Sequence, residues 1–308
     1  MAKHTLNLLV GDNPFHGISH LSQERARVRS TEPEADITQQ ATRLVELSLQ
    51  NGANGFLFSV DTLTLSIIRN LNKNPEFKNT SLYAIAPYAY EYVRKSTQTG
   101  GTSGLAKNLA KEMVFSTNSK VLVMNLGGLM RFNLSALLKT YVAYEISRIK
   151  SASAGKLPLK AFMLHEIITD MALALNMEDL FKAYIKFVEG YHIRPGFETR
   201  NFSCLVKKFN EWGIDFSKLT ITSSFNKVGF QMCPTQRDCE AALEQAKAAE
   251  IIAMSVLAAG YLKPVDALDY LEGLDGISGL VVGVSKEQQA LETFHVFGHD
   301  AALPKLPC

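Results

Sequence analysis

Residues 10–20 read VGDNPFHGISH and crowd Asp12, Asn13, His16 and His20 into one short segment behind an apolar run. A carboxylate, an amide and two imidazoles can accept, donate and pass protons near neutral pH. The four-residue spacing of Asp12, His16 and His20 would align them on one helix face, but Gly11, Pro14 and Gly17 oppose a helix there. The spacing is therefore no argument for a metal. A divalent cation would need His165 or Glu166 as further ligands, and no metal ligand is assigned.

Other groups recur behind later apolar runs. His165 closes AFMLH and would be the readiest acid or base, the plainer alternative being a histidine bonded to backbone. Glu166 would point the other way if the strand continues, so only one of the two should face a site. In GFETRN, alternation puts Glu198 and Arg200 on one side, a carboxylate and a guanidinium able to grip a polar substrate; a surface ion pair is the alternative. Asn226 is a candidate substrate ligand, and Lys227 beside it reads as solvated. Tyr88 lies nearest the strand end among the tyrosines of PYAYEYV and could stack on a sugar-like ring. In VGVSKEQQ, Ser285 and Gln288 fit a capping box, with Gly283 in the approach and Lys286 beside it; free N–H groups at that helix start would favour a phosphate.

What must position these groups is a repeat. Nine short apolar runs, beginning at Leu6, Gly55, Ser81, Lys120, Leu159, Ile193, Leu219, Glu250 and Gly279, are separated by longer stretches, several with helical periodicity. Nearly continuous apolar runs suit a parallel sheet covered by helices. Eight such units close into a single (β/α)8 barrel spanning residues 1–308, with the ninth run an accessory strand or no strand. The runs at 81–88 and 120–128 are the weakest, because RKSTQTGGTSG between them reads as a loop. In such barrels chemistry gathers on the loops after the strands' C-terminal ends, where most of the candidate groups lie.

Composition narrows the classes. Thirty-two basic residues balance 30 acidic ones to a net charge of +2 without a basic block, which argues against a nucleic-acid partner. The apolar run at 251–262 is too short to span a membrane, and the N-terminal run makes a poor signal peptide, so a cytoplasmic location is expected. Cys204, Cys233, Cys239 and Cys308 lack the spacing of a metal or redox motif and receive no chemistry. The oligomeric state is left open.

The second half of the chain resembles the aldo-keto reductase superfamily. LKAFMLHEI is similar to that family's fourth strand with its active-site histidine, which puts His165 in that role. The segment EGYHIRPGFETRNF resembles the next strand, EIIAMSVLAAGYLKP the seventh, and GLVVGVSKEQQALETF the last strand with its nucleotide-phosphate helix. The resemblance implies a barrel and raises NADP as a cofactor. The first half departs from the family: Asp61 follows the second run, no tyrosine stands behind it, and no lysine follows the third run until Lys95. Without that tyrosine and lysine the usual proton donor to a reduced carbonyl is missing.

The reading that follows is an acid/base enzyme of isomerase or lyase type. Its substrate would be a small polar carbonyl or sugar-like compound, phosphorylated ones included. His165, His16 and Asp12 would do the chemistry, and Asn13, His20, Tyr88, Glu198, Arg200 and Asn226 would hold the substrate. Gly283, Ser285 and Lys286 would hold a phosphate. The alternatives are a divergent NADP-dependent reductase and a catalytically inactive binding barrel.

Overall fold

The computed structural model describes residues 6–16, 34–87 and 134–299. Eight parallel strands close on themselves in sequence order: β1 Asn7–Gly11, β2 Gly55–Ser59, β3 Ser81–Ala86, β4 Leu159–Leu164, β5 Arg194–Glu198, β6 Thr220–Ser224, β7 Glu250–Met254 and β8 Ile277–Gly283. Pairing of β1 with β8, Val10 against Val282 and Gly11 against Gly283, completes the barrel. Eight of the nine apolar runs are thus strands of one (β/α)8 barrel. The run at 120–128 lies outside the described residues.

The pleat sorts each strand's side chains into two layers. Leu9, Leu57, Tyr83, Ile85, Ala161, Met163, Ile252 and Val281 fill the barrel interior. Their sequence neighbours, among them Leu8, Val10, Phe56, Phe58, Leu82, Ala84 and Phe162, face the helices. With both faces buried, a strand such as β2 reads as an unbroken apolar run, which is why alternation is absent from the sequence.

Among the described residues the outer layer comprises α1 Glu34–Gln50, α2 Thr62–Leu71, α3 Leu134–Ala152, α4 Glu166–Ala174, α5 Glu178–Glu189, α6 Phe202–Glu211, α7 Gln236–Ala246, α8 Pro264–Glu272 and α9 Glu287–His299. Their starts follow local rules. Thr235 caps α7 by accepting from the Asp238 amide, and Asp61 with Thr64 forms a reciprocal capping box at α2, each cap contributing about 1 kcal/mol. None of the described helices is long and apolar enough to cross a membrane.

At the N-terminal end of the barrel, Glu250 accepts hydrogen bonds from Asn7 Nδ2, Tyr83 Oη and Thr220 Oγ1, so one carboxylate ties β1, β3 and β6 to β7. This closes the end opposite the functional loops and reads as stability.

Candidate active site

The functional side chains come from the C-terminal ends of strands and the segments that follow them. Asp12 follows β1 directly, and its Oδ2 accepts a 2.7 Å hydrogen bond from the amide of Ser59, the last residue of β2. A single 3-10 turn, Asn13–His16, then brings the His16 ring back over the same spot. Its Nε2 lies 3.2 Å from Asp12 Oδ2 and its Nδ1 3.4 Å from Asp61 Oδ2. All three side chains are nearly dry, His16 at 7% exposure, Asp12 at 4% and Asp61 at 11%. Burial raises the Asp61 carboxyl above its ordinary value, against the pull of His16 and of the hydrogen bonds from Thr64. No described residue bonds Oδ1 of Asp12.

The second group grows from β4 and β5. His165 is the N-cap of α4, and its Nδ1 accepts from the Ile167 amide at 3.2 Å. Burial lowers its pKa, so the ring is neutral near pH 7 with its proton on Nε2. That Nε2 lies 3.9 Å from Glu198 Oε2. Burial pushes the Glu198 carboxyl up to about 8, and the charges of Glu166 and Asp12 add to the shift. A carboxyl with that value is mostly protonated at neutral pH and can donate. Asp12 acts on His165 as well, so the two groups share one electrostatic environment.

Around this pair a tight frame forms. The Glu166 amide donates to Glu198 Oε2 at 3.2 Å, while Arg200 Nε donates to Glu166 Oε2 at 2.6 Å. Asp170, one turn along α4, accepts from Thr199 Oγ1 and from the Arg200 amide, locking the loop after β5 onto the helix after β4. Burial raises the Asp170 carboxyl too, opposed by those two hydrogen bonds.

Several expectations need correction. Glu166 does not point away from His165. The strand ends at Leu164, so its alternation does not extend to these residues, and helical geometry brings both into one cluster. Arg200 pairs with Glu166 rather than gripping alongside Glu198. Asn226 is fully buried with both ends of its amide bonded to the Phe230 backbone, which leaves nothing for a substrate. Asn13, the first residue of the 3-10 turn, is exposed. His20 and Tyr88 lie outside the described residues.

At the end of β8 the expected pairing of Ser285 with Gln288 is replaced: Gln289 Oε1 accepts from the Ser285 amide (3.0 Å) and hydroxyl (3.3 Å), while Gln288 turns along the helix to Glu292. Gly283 serves the loop after β1, since a Cβ there would come within 2.6 Å of Pro14 Cδ. Glu287 adds a negative charge to the first turn of α9, and Lys286 is exposed. With the Ser285 donors taken, Pro14 packed against Gly283 and a carboxylate in the first turn of α9, this end of β8 is a poor place for a nucleotide phosphate.

Three residues absent from the sequence-based selection belong to the site: Asp61, Glu166 and Asp170. Asp61 is the first carboxylate past β2, as Asp12 is past β1, and that rule would have found it. Asp170 stands four residues after Glu166, on the same face of α4. Among the described residues, no group of three or more His, Cys, Asp or Glu side chains could hold a metal ion.

The sequence matches no family model and no curated protein. Solved structures do match, over nearly the whole chain. A glycerol dehydrogenase from Gluconobacter oxydans superposes with a TM-score of 0.56 at 11% identity, covering 97% of this chain and 91% of its own. A Pseudomonas aeruginosa protein regarded as a candidate aldo-keto reductase gives 0.54 at 12%, covering 96% and 89%. The fold shared with these proteins is the (β/α)8 barrel. An aldo-keto reductase from Bacillus halodurans, in its holo form, gives 0.50 at 10%, covering 94% and 85%. Within this shared scaffold the departures seen in the sequence acquire positions: α2, TLTLSIIRNL, carries neither tyrosine nor lysine behind Asp61, and β3 ends in Ala86 followed by Pro87.

Proposed function

We propose that the C-terminal mouth of this barrel is an acid/base active site for isomerase- or lyase-type chemistry on a small polar carbonyl or sugar-like compound. The observation that carries the reading is the placement of Glu198, whose Oε2 lies 3.9 Å from His165 Nε2 and accepts from the Glu166 amide; burial there pushes the carboxyl up to about 8, with the charge of Asp12 adding to the shift. Carboxyl groups whose environments separate their protonation states make an acid and a base. Glu198 and the Nε2–H of His165 are the donors to a substrate carbonyl oxygen, and Asp12 Oδ1 accepts the proton from the adjacent carbon. Arg200, held through Nε by Glu166, orients the polar end of the substrate. A cytoplasmic location and a small-molecule partner, with neither nucleic acid nor membrane, belong to the same reading.

The test is proton exchange. Wild-type protein is incubated in D2O with aldoses, ketoses, their phosphate esters and α-hydroxy acids, and deuterium uptake beside the carbonyl is followed by NMR. At least one compound exchanges, and Glu198→Gln and His165→Ala each slow the exchange by about 10²-fold or more. Exchange that persists undiminished in both variants refutes the assignment. The fold, together with Asp61 and His165 at positions the family resemblance marks, favours one other reading, a divergent NADP-dependent reductase. Absence of nicotinamide fluorescence change up to millimolar NADPH removes it.

A further inference from the structure

Nothing in the proposed chemistry explains why a buried histidine lies between two buried carboxylates. His16 presents Nε2 to Asp12 at 3.2 Å and Nδ1 to Asp61 at 3.4 Å. A neutral imidazole has one N–H and one lone pair, so one of those contacts would set a lone pair against a carboxylate oxygen. Only the doubly protonated ring donates on both sides. The carboxylates are themselves held as acceptors: Asp12 Oδ2 takes the Ser59 amide, and Asp61 Oδ1 takes the amide (2.8 Å) and hydroxyl (3.0 Å) of Thr64. At Asp61 those hydrogen bonds and the charge of His16 oppose the burial that raises its carboxyl, so a cationic ring is what offsets that burial.

We infer that His16 is a resident imidazolium bridging Asp12 and Asp61, a fixed cation at the barrel mouth, and that His16 and Asp61 are positioning residues that present Asp12 Oδ1. The assignment of Asp12 as base rests on the proposed function; the protonation state of His16 does not. With both ring nitrogens occupied, His16 does not exchange protons with substrate itself. Its charge offsets two carboxylates that would otherwise repel each other in a nearly dry pocket, and its two contacts fix the Asp12 side chain with Oδ2 occupied and Oδ1 bonded by no described residue. Among the described residues the other charged groups acting at this mouth are Glu198 at the end of β5, Glu166 and Asp170 on α4, and Arg200 past β5, and Asp12 couples to Glu198. The arrangement was invisible to spacing arguments because Asp61 reaches His16 from the neighbouring strand's loop.

The test needs no substrate. In protein labelled with 15N-histidine, long-range 15N–1H correlation at about pH 7.5 reports which ring nitrogens carry protons, with the His16 signals identified from His16→Gln. The wild type shows both nitrogens of His16 protonated. Asp61→Asn, which can keep the cap at Thr64, gives a neutral ring with its proton on Nε2, facing Asp12. Asp12→Asn gives the opposite tautomer, with the proton on Nδ1, facing Asp61. A neutral structural histidine would already show a single protonated nitrogen in the wild type. A neutral His16 in the wild type overturns the inference, whatever the variants do; so does a ring unchanged in both folded variants. Failure here with proton exchange intact would remove the imidazolium and leave the acid/base reading standing.

Discussion

Replacing Glu198 by Gln should make the protein more stable, and increasingly so as the pH rises. The carboxyl lies at about 8 in the folded protein against an ordinary value of 4.5 in the open chain. Below pH 4.5 it is protonated in both states and favours neither. As the pH rises past 4.5 the unfolded chain ionises first, so folding loses stability until the folded carboxyl also ionises near 8, beyond which the loss is constant. At about 1.4 kcal/mol per pH unit the full interval amounts to about 5 kcal/mol, of which about 3.5 kcal/mol develops between pH 5 and 8. Gln keeps the shape and can still accept from the Glu166 amide, but it cannot ionise. Urea unfolding of both proteins across this range, with m-values checked for equality, measures the gap. It should widen with pH in favour of Gln and then level off. A gap that stays flat to within about 0.5 kcal/mol, or one that narrows, refutes the claim that burial holds this carboxyl protonated.

Other substitutions test the frame around the site. Gly283→Ala places a methyl 2.6 Å from Pro14 Cδ and 2.7 Å from Pro14 Cγ, and should lower stability by about 1–3 kcal/mol by calorimetry while displacing the loop that carries Asp12 and His16. Tyr184→Phe removes a buried hydroxyl that donates to the Phe162 carbonyl at 2.6 Å, and should cost about 1–2 kcal/mol in urea unfolding, with β4 the strand left short of a partner. Glu250→Ala strips the acceptor from Asn7, Tyr83 and Thr220, and should lower the melting temperature while leaving proton exchange by the folded protein unchanged. A Glu250 variant that folds but loses exchange would show that the two ends of the barrel are coupled.

The barrel was readable because burial on both faces writes itself into the chain as apolar runs. Starts at Leu159, Ser81 and Glu250 coincide with β4, β3 and β7, and even the weak run at 81–88 supplies β3. The rule that polar groups just past a strand face the mouth found Asp12, His165 and Glu198. What it missed depends on contacts between loops. That Glu166 swings in beside His165 turns on where β4 stops, one residue earlier than the run suggests. Asp61 joins the site through His16, and Asn226 leaves it because Phe230 folds back onto the amide; neither contact has a signature in spacing. The choice of Gln289 over Gln288 at α9 is a shift by one residue, within the register that capping patterns leave open.

The central claim is that the mouth holds a carboxylic acid protonated at neutral pH. The most direct measurement is a 13C NMR titration of glutamate carboxyl carbons, with Glu198 identified by its loss in Glu198→Gln. The account predicts a midpoint at about 8 for that signal. A midpoint near 4.5 would leave Glu198 an ordinary carboxylate and the proposed chemistry without its acid.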